Sequence, residues 1–288
     1  MTRPTLSRCP RPATVTVTAQ DEHGQSRAVE IADEHPLTLY LDRREVVTLM
    51  TLGAAPEELA LGYLRNQRLL ASLSEVASVQ VDWSVSAVAV TSRSLAERGL
   101  PLWSDDAAAT RLSRRTVTTG CGQGTLFGDL LESLSAPPVP PQARLRESTL
   151  MHVLDEARRH DSIYKQAGAV HGCALCANTP GEDGRILRYV EDVGRHNAVD
   201  AIAGWMWLED VAGTDKIFYT TGRLTSEMVI KCAQIGVPFL VSRSGLTRMG
   251  HQLAHDLGLT LIGRCQGRHY LLFTGAQRFE RAAPVASA

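Results

Sequence analysis

Apolar and polar side chains alternate through much of the first hundred residues. From 28 to 41 and again from 76 to 90 they switch almost position by position, as in Val79-Gln80-Val81-Asp82, which predicts half-buried strands. Between them, Ala55-Pro56-Glu57-Glu58-Leu59-Ala60-Leu61-Gly62-Tyr63-Leu64 suits a helix, with Pro56 in the first turn, where its missing N–H does no harm. These segments predict a small α/β region over 21–113. Residues 1–20, with Pro4, Pro10 and Pro12, are expected to form a flexible tail, poorly ordered or partly docked.

The pattern then changes. Residues 114–147 open with the Gly/Thr-rich run Thr118-Thr119-Gly120-Cys121-Gly122-Gln123-Gly124-Thr125. They close with Ala136-Pro137-Pro138-Val139-Pro140-Pro141, a stiff connector that predicts a domain boundary. Beyond it, Leu150, Val153, Leu154 and Ala157 share one helical face, with Ser148 or Thr149 as cap. Short strands are predicted at 169–176, 186–190, 216–221, 237–242, 259–263 and 270–274. Helices are predicted from Arg195, at 226–235 and at 247–257, with Gly236 and Gly258 at the ends of the last two. Such alternation argues for a mainly parallel sheet covered on both faces over 148–288. No internal repeat is evident.

Composition narrows the function. At 44% hydrophobic and 21% charged the chain reads as soluble and globular. Thirty basic against thirty-one acidic residues leave nothing to draw it to nucleic acid or an acidic membrane. The N-terminus has no apolar signal region and no stretch approaches a membrane span, so a cytoplasmic location with reduced thiols is expected. The six cysteines are then nucleophiles, metal ligands or core residues, not a disulfide framework.

Cys121 is the candidate nucleophile. Its small and hydroxylic neighbours offer the thiol no apolar pocket, and glycine N–H groups, with Arg114 and Arg115 nearby in sequence, favour a thiolate. Two further runs look like ligand turns. Glu191-Asp192-Val193-Gly194-Arg195-His196-Asn197-Ala198-Val199-Asp200 lies between a strand and a helix, and Thr221-Gly222-Arg223-Leu224-Thr225-Ser226-Glu227 repeats that architecture. Helix starts offer free N–H groups to an anion and arginine forks onto phosphate, so the two turns are expected to converge on one crevice at the strand ends. Two well-capped helix starts would explain the same residues. His171 stands at the start of a strand that would face that crevice. His171-Gly172-Cys173-Ala174-Leu175-Cys176 contains C-x-x-C, readable as zinc, a redox dithiol or a buried strand. Arg264-Cys265-Gln266-Gly267-Arg268-His269 is consistent with holding phosphates, and equally with a solvated turn.

Together these segments resemble the formate dehydrogenase accessory sulfurtransferase family, FdhD, from about Pro36 to about Phe279. The likeness rests on the 57–62 run, the Cys121 loop, His171, the 191–198 run, Gly222-Arg223 with Ser226-Glu227-Met228, and the segment 259–269. It implies a three-layer α/β/α sandwich with a mixed sheet, similar to the cytidine deaminases, beside the smaller N-terminal region. It further implies a sulfur carrier that takes persulfide sulfur from a cysteine desulfurase and passes it to bis-molybdopterin guanine dinucleotide, the molybdenum cofactor of formate dehydrogenase. By position Cys121 is the persulfide carrier, and Arg264, Cys265, Gln266, Gly267, Arg268 and His269 match the cofactor-binding segment. His171, Gly194, Arg195, His196, Asn197, Gly222, Arg223 and Ser226 are expected to complete the cofactor site, with GDP as a partial mimic, and a homodimer is expected. Two departures matter. Gly124 stands where the family often has a second cysteine, and Cys173 and Cys176 stand where it has small apolar residues, which favours the core reading. The His-x-Glu and Pro-Cys-x-x-Cys zinc signature is missing from the chain, so no metal is expected. Two rival functions remain: a non-catalytic guanine-nucleotide or cofactor-binding chaperone of formate dehydrogenase, and a cysteine hydrolase or transferase built on Cys121 and a histidine.

Overall fold

The computed structural model describes residues 3–103, 116–117, 124–125 and 139–282. Within these, the chain runs β1 (Thr5–Leu6), β2 (Thr14–Gln20), β3 (Ser26–Ala32), β4 (His35–Leu41), β5 (Arg44–Thr51), α1 (Pro56–Asn66), β6 (Val76–Asp82), β7 (Ala87–Ser92) and α2 (Arg93–Arg98). Then come β8 (Thr116–Val117), β9 (Gly124–Thr125), β10 (Leu145–Arg146), α3 (Glu147–Arg159), α4 (Ile163–Ala167), β11 (His171–Ala177), β12 (Ile186–Asp192) and α5 (Arg195–Leu208). Last are β13 (Lys216–Thr220), α6 (Ser226–Gln234), β14 (Phe239–Ser242), α7 (Arg248–Asp256), β15 (Thr260–Gln266), β16 (His269–Leu272) and β17 (Phe279–Glu280).

The fold is mixed α/β, and it divides into two compact units, each discontinuous in sequence. One comprises 1–133, 161–172 and 190–211; the other 134–160, 173–189 and 212–288. The linear division read from the sequence, with one region over 21–113 and another over 148–288, does not follow this partition. Helix α5 belongs with the N-terminal residues because it packs on α1.

The first unit is built on a five-stranded mixed sheet in the order β1-β6-β7-β4-β5. Residues 3–20 are not a loose tail. β1 pairs in parallel with β6, Trp83 Nε1 donates to the Cys9 carbonyl at 2.7 Å, and the Glu57 carboxylate accepts from Ser7 Oγ at 2.6 Å and Cys9 N at 3.0 Å. β5 was not expected from the sequence. It follows β4 through Asp42 and Arg43, both at positive φ, a tight hairpin turn made without the glycine that usually announces one. The buried Asp42 carboxylate holds that turn by accepting from Ser92 N, Ser92 Oγ and Leu102 N, each at 2.7 Å.

α1 and α5 cross at two glycines. A Cβ on Gly62 would sit 1.6 Å from the Asp200 carbonyl oxygen, and one on Gly204 would sit 1.9 Å from that of Glu58, so no side chain fits at either position. Asn66 Nδ2 donates to Asp200 Oδ1 at 2.7 Å and Arg65 donates to the Ala203 carbonyl at 2.9 Å, with its guanidinium over the Trp207 ring. Burial lowers the Arg65 pKa to about 10.

The second unit holds most of a six-stranded mixed sheet, in the order β12-β11-β13-β14-β15-β16. β13, β14 and β15 are parallel, flanked by antiparallel β11 and β16. α3 covers one face, where Leu150 and Val153 join Ala174, Cys176, Ile217, Tyr219, Phe239, Val241 and Ile262 in one core. This helix begins at Glu147, before the Ser148 or Thr149 cap expected from sequence; both residues lie inside its first turn.

Candidate functional site

Cys121, with Arg114 and Arg115, lies outside the described residues. What is described is the pair that brackets the cysteine: Val117 and Gly124 are partners in the antiparallel β8–β9 ladder. The other thiols are better defined. Cys173, Cys176, Cys232 and Cys265 are buried, and burial pushes the Cys176 and Cys232 thiols far up and that of Cys265 to about 12. Cys173 donates to Thr220 Oγ1 at 3.3 Å. In β11 the positions of Cys173 and Cys176 are three apart, so the two side chains leave opposite faces of the strand. Cys176 joins the core under α3, while Cys173 lies near Cys232 on α6. Such a splayed pair is no chelate. Cys9 is half-buried and its thiol points at the Ser7 carbonyl.

In the 191–200 run the polar side chains turn inward. Asp192 accepts from Thr51 Oγ1 at 2.5 Å, Asn197 Nδ2 at 2.9 Å, Gly194 N at 3.3 Å and Leu52 N at 3.4 Å. Burial raises its pKa to about 6 against the pull of these donors. Asn197 also donates to the Met50 carbonyl at 2.7 Å. Glu191 accepts from Ile163 N at 2.6 Å and Tyr164 N at 3.2 Å, at the start of α4. Arg195 and His196, in the first turn of α5, are buried, and His171 is half-buried at the start of β11. A Cβ on Gly194 would meet only Asn197, at 3.5 Å, so nothing in the backbone demands glycine there.

The 221–227 run is different. It follows β13, and Arg223 is exposed with no carboxylate partner among the described residues. The Thr220 side chain accepts from Gly222 N at 3.0 Å, closing the turn, and Ser226 opens α6. The structure repeats this device one strand along. After β14, Ser242 Oγ accepts from Ser244 N at 2.9 Å and donates to the Gly222 carbonyl at 2.6 Å. Leu224 and Leu246 form a parallel bridge between the two turns, and Thr247 caps α7 through Gly250 N at 3.2 Å. The repeat is legible once aligned: Thr220-Thr221-Gly222-Arg223-Leu224-Thr225 against Ser242-Arg243-Ser244-Gly245-Leu246-Thr247. It was missed because only the hydroxyl and the Leu-Thr pair coincide.

The third strand end is β15. Its register slips between Gly263 and Gln266, with Arg264 at φ 56, a bulge that puts Cys265 in the same core as Ile262 and leaves Arg264 exposed. The segment 264–269 is therefore no free loop. Arg264, Cys265 and Gln266 finish β15, Gly267 and Arg268 make the turn, and His269 starts β16. Cys265 faces the core, so only its backbone is open to a ligand.

The structure thus brings Gly222, Arg223, Ser226 and the segment 264–269 into one unit, while His171, Gly194, Arg195, His196 and Asn197 fall in the other. The carboxyl ends of parallel strands are where open α/β sheets usually take ligands, and here that edge is lined with arginine. These features define a mixed α/β protein with an arginine-lined strand edge and a cysteine in a glycine-rich run of its sequence. The chain belongs to the FdhD/NarQ family, whose model matches residues 32–280. It is 26% identical over 249 residues to the sulfur carrier protein FdhD of Bacillus pumilus (86% of this chain, 90% of that one). It is 27% identical over 259 residues to that of Bacillus subtilis (89% and 94%). A solved structure named as a formate dehydrogenase accessory protein, from Desulfotalea psychrophila, has a TM-score of 0.71 at 27% identity, covering 93% of this chain and all of that one. Among the described residues no helix is long and apolar enough to cross a membrane.

Proposed function

We propose that this chain is a sulfur carrier serving formate dehydrogenase, with Cys121 as the atom that carries the sulfur. The observation that carries this reading is the family match over 32–280, which takes in Cys121, together with curated relatives named as sulfur carriers along nearly their whole length. The described cysteines add to it: Cys173, Cys176, Cys232 and Cys265 are buried away from any donor protein, and burial raises the thiol pKa of the last three, which disfavours them as nucleophiles at neutral pH.

In the loading step the Cys121 thiolate attacks the outer sulfur of a persulfide on a cysteine desulfurase. A new S–S bond forms at Cys121 and the donor cysteine leaves as thiolate, with no net change of redox state. The acceptor is bis-molybdopterin guanine dinucleotide, bound as substrate, and the residues of the second unit fit its phosphates. Arg223, Arg264 and Arg268 offer exposed guanidiniums, with no carboxylate partner among the described residues, beside the Gly222 turn. Delivery of the sulfur as sulfide takes two electrons: an external thiol attacks Cys121 Sγ, hydrosulfide leaves to the acceptor, and the mixed disulfide left on Cys121 is cleared by a second external thiol, which leaves with the first as a disulfide. Gly124 holds no sulfur, so residue 124 is not their source.

Cys121→Ala in cells lacking their own carrier tests this. Formate dehydrogenase activity is expected to disappear while the variant stays folded and keeps its affinity for GDP. Activity at half the wild-type level or more contradicts the reading.

A further inference from the structure

Three neighbouring parallel strands each carry an exposed arginine at or beyond their carboxyl ends: Arg223 three residues after β13, Arg243 directly after β14, and Arg264 in the last three residues of β15. None has a carboxylate partner among the described residues. The three strand ends are tied to one another through their backbones. Arg243 N donates to the Thr220 carbonyl at 3.0 Å, Arg264 N to the Ser244 carbonyl at 2.7 Å, and Leu224 N to the Gly245 carbonyl at 3.0 Å. Adjacent parallel strands lie about 4.8 Å apart, and the pairings Thr220 with Ser242 and Val241 with Ile262, carried on along the strands, put Arg243 level with Arg264 on one side and with Thr221, two residues before Arg223, on the other. Like charges this close repel, and a fold that keeps all three unpaired at one fixed edge is arranged for an anion.

We propose that Arg243 is a further ligand-binding residue, the central member of a three-arginine cradle for the diphosphate group of a guanine nucleotide. This rests on the reading of that edge as the cofactor's phosphate site and adds Arg243 to it. The Ser242–Ser244 turn fixes the backbone at Arg243 as the Thr220–Gly222 turn fixes it before Arg223. Arg264 is aimed from its bulge on the third strand. A diphosphate carries charge on both phosphoryl groups, so a row of forked donors along one edge suits it better than a single point charge would.

Calorimetry on the full chain with GDP and with inorganic diphosphate tests the assignment. Arg243→Ala is expected to weaken both probes about tenfold, as Arg223→Ala does. Arg243→Lys should recover part of the loss. Arg158→Ala removes an exposed arginine already paired with Asp155 on α3, and should bind as wild type. Wild-type affinity for both probes in Arg243→Ala overturns the proposal, as does a wild-type protein that binds neither. Sulfur loading on Cys121, measured on the same preparations, shows whether the carrier reading falls with it or stands alone.

Discussion

The 191–200 run and the 220–225 turn share a plan: a strand, then glycine and arginine, then a helix. In the first, Asp192, Asn197 and Glu191 are engaged with Thr51, Leu52, Met50 and the start of α4, and Arg195 and His196 are buried. In the second, the hydroxyls close the turn and the arginine is left in solvent without a carboxylate. The same residue types serve as an internal clamp in one place and as an open anion edge in the other. What separates them is whether the surrounding backbone presents orphan donors for the acids to satisfy. Motif composition alone therefore does not distinguish a binding turn from a packing device.

That contrast can be broken at several points. The largest effect is expected where the clamp side is most tightly packed. Gly62→Ala drives a methyl group into the Asp200 carbonyl, and should destabilise the first unit by about 3 kcal/mol or more in chemical denaturation. A loss below about 1 kcal/mol would mean that α1 and α5 separate easily. Next comes Asp192. Its unfolded carboxyl titrates near 3.8 and its folded one near 6, so between these values the native state holds the extra proton and stability falls as pH rises. Relative to Asp192→Asn, wild type should lose up to about 3 kcal/mol across that window and stay level above it. Parallel pH profiles for the two proteins would remove Asp192 as the titrating group.

On the open edge, Arg223→Ala and Arg264→Ala should each weaken GDP binding about tenfold. Their folding stability should move by less than about 0.5 kcal/mol. Arg195→Ala, at a buried site, should show the reverse balance, with a larger loss of stability than of affinity. The smallest effects belong to Cys173→Ala and Cys176→Ala, a packing loss of about 1 kcal/mol each with sulfur transfer retained.

Much of this was legible in the sequence where periodicity and end signals agree. The helices from Arg195 and Ser226 and the one closed by Gly258 stand where spacing and left-handed glycines put them. β5 was hidden because Asp42 and Arg43 adopt positive φ in a turn with no glycine, held by hydrogen bonds to residues fifty or more positions away. The docking of residues 3–20 was hidden for a similar reason: Glu57, Trp83 and β6 supply the partners, and none is near in sequence. Gly62 read as part of a family motif, and only the crossing with α5 gives its reason. Of the three arginines proposed for the strand edge, Arg223 and Arg264 stand in runs that the sequence singles out, whereas Arg243 does not. Its turn matches that of Arg223 in hydrogen bonding more than in letters.

The claim that this chain carries sulfur on Cys121 is tested most directly by mass spectrometry of the intact protein and its peptides after incubation with a cysteine desulfurase and cysteine. The account predicts one added sulfur atom, removable by a thiol reductant, on the peptide that contains Cys121 and on no peptide containing Cys173, Cys176, Cys232 or Cys265. A protein that takes up no sulfur, or takes it up on Cys9 with Cys121 unmodified, would contradict it.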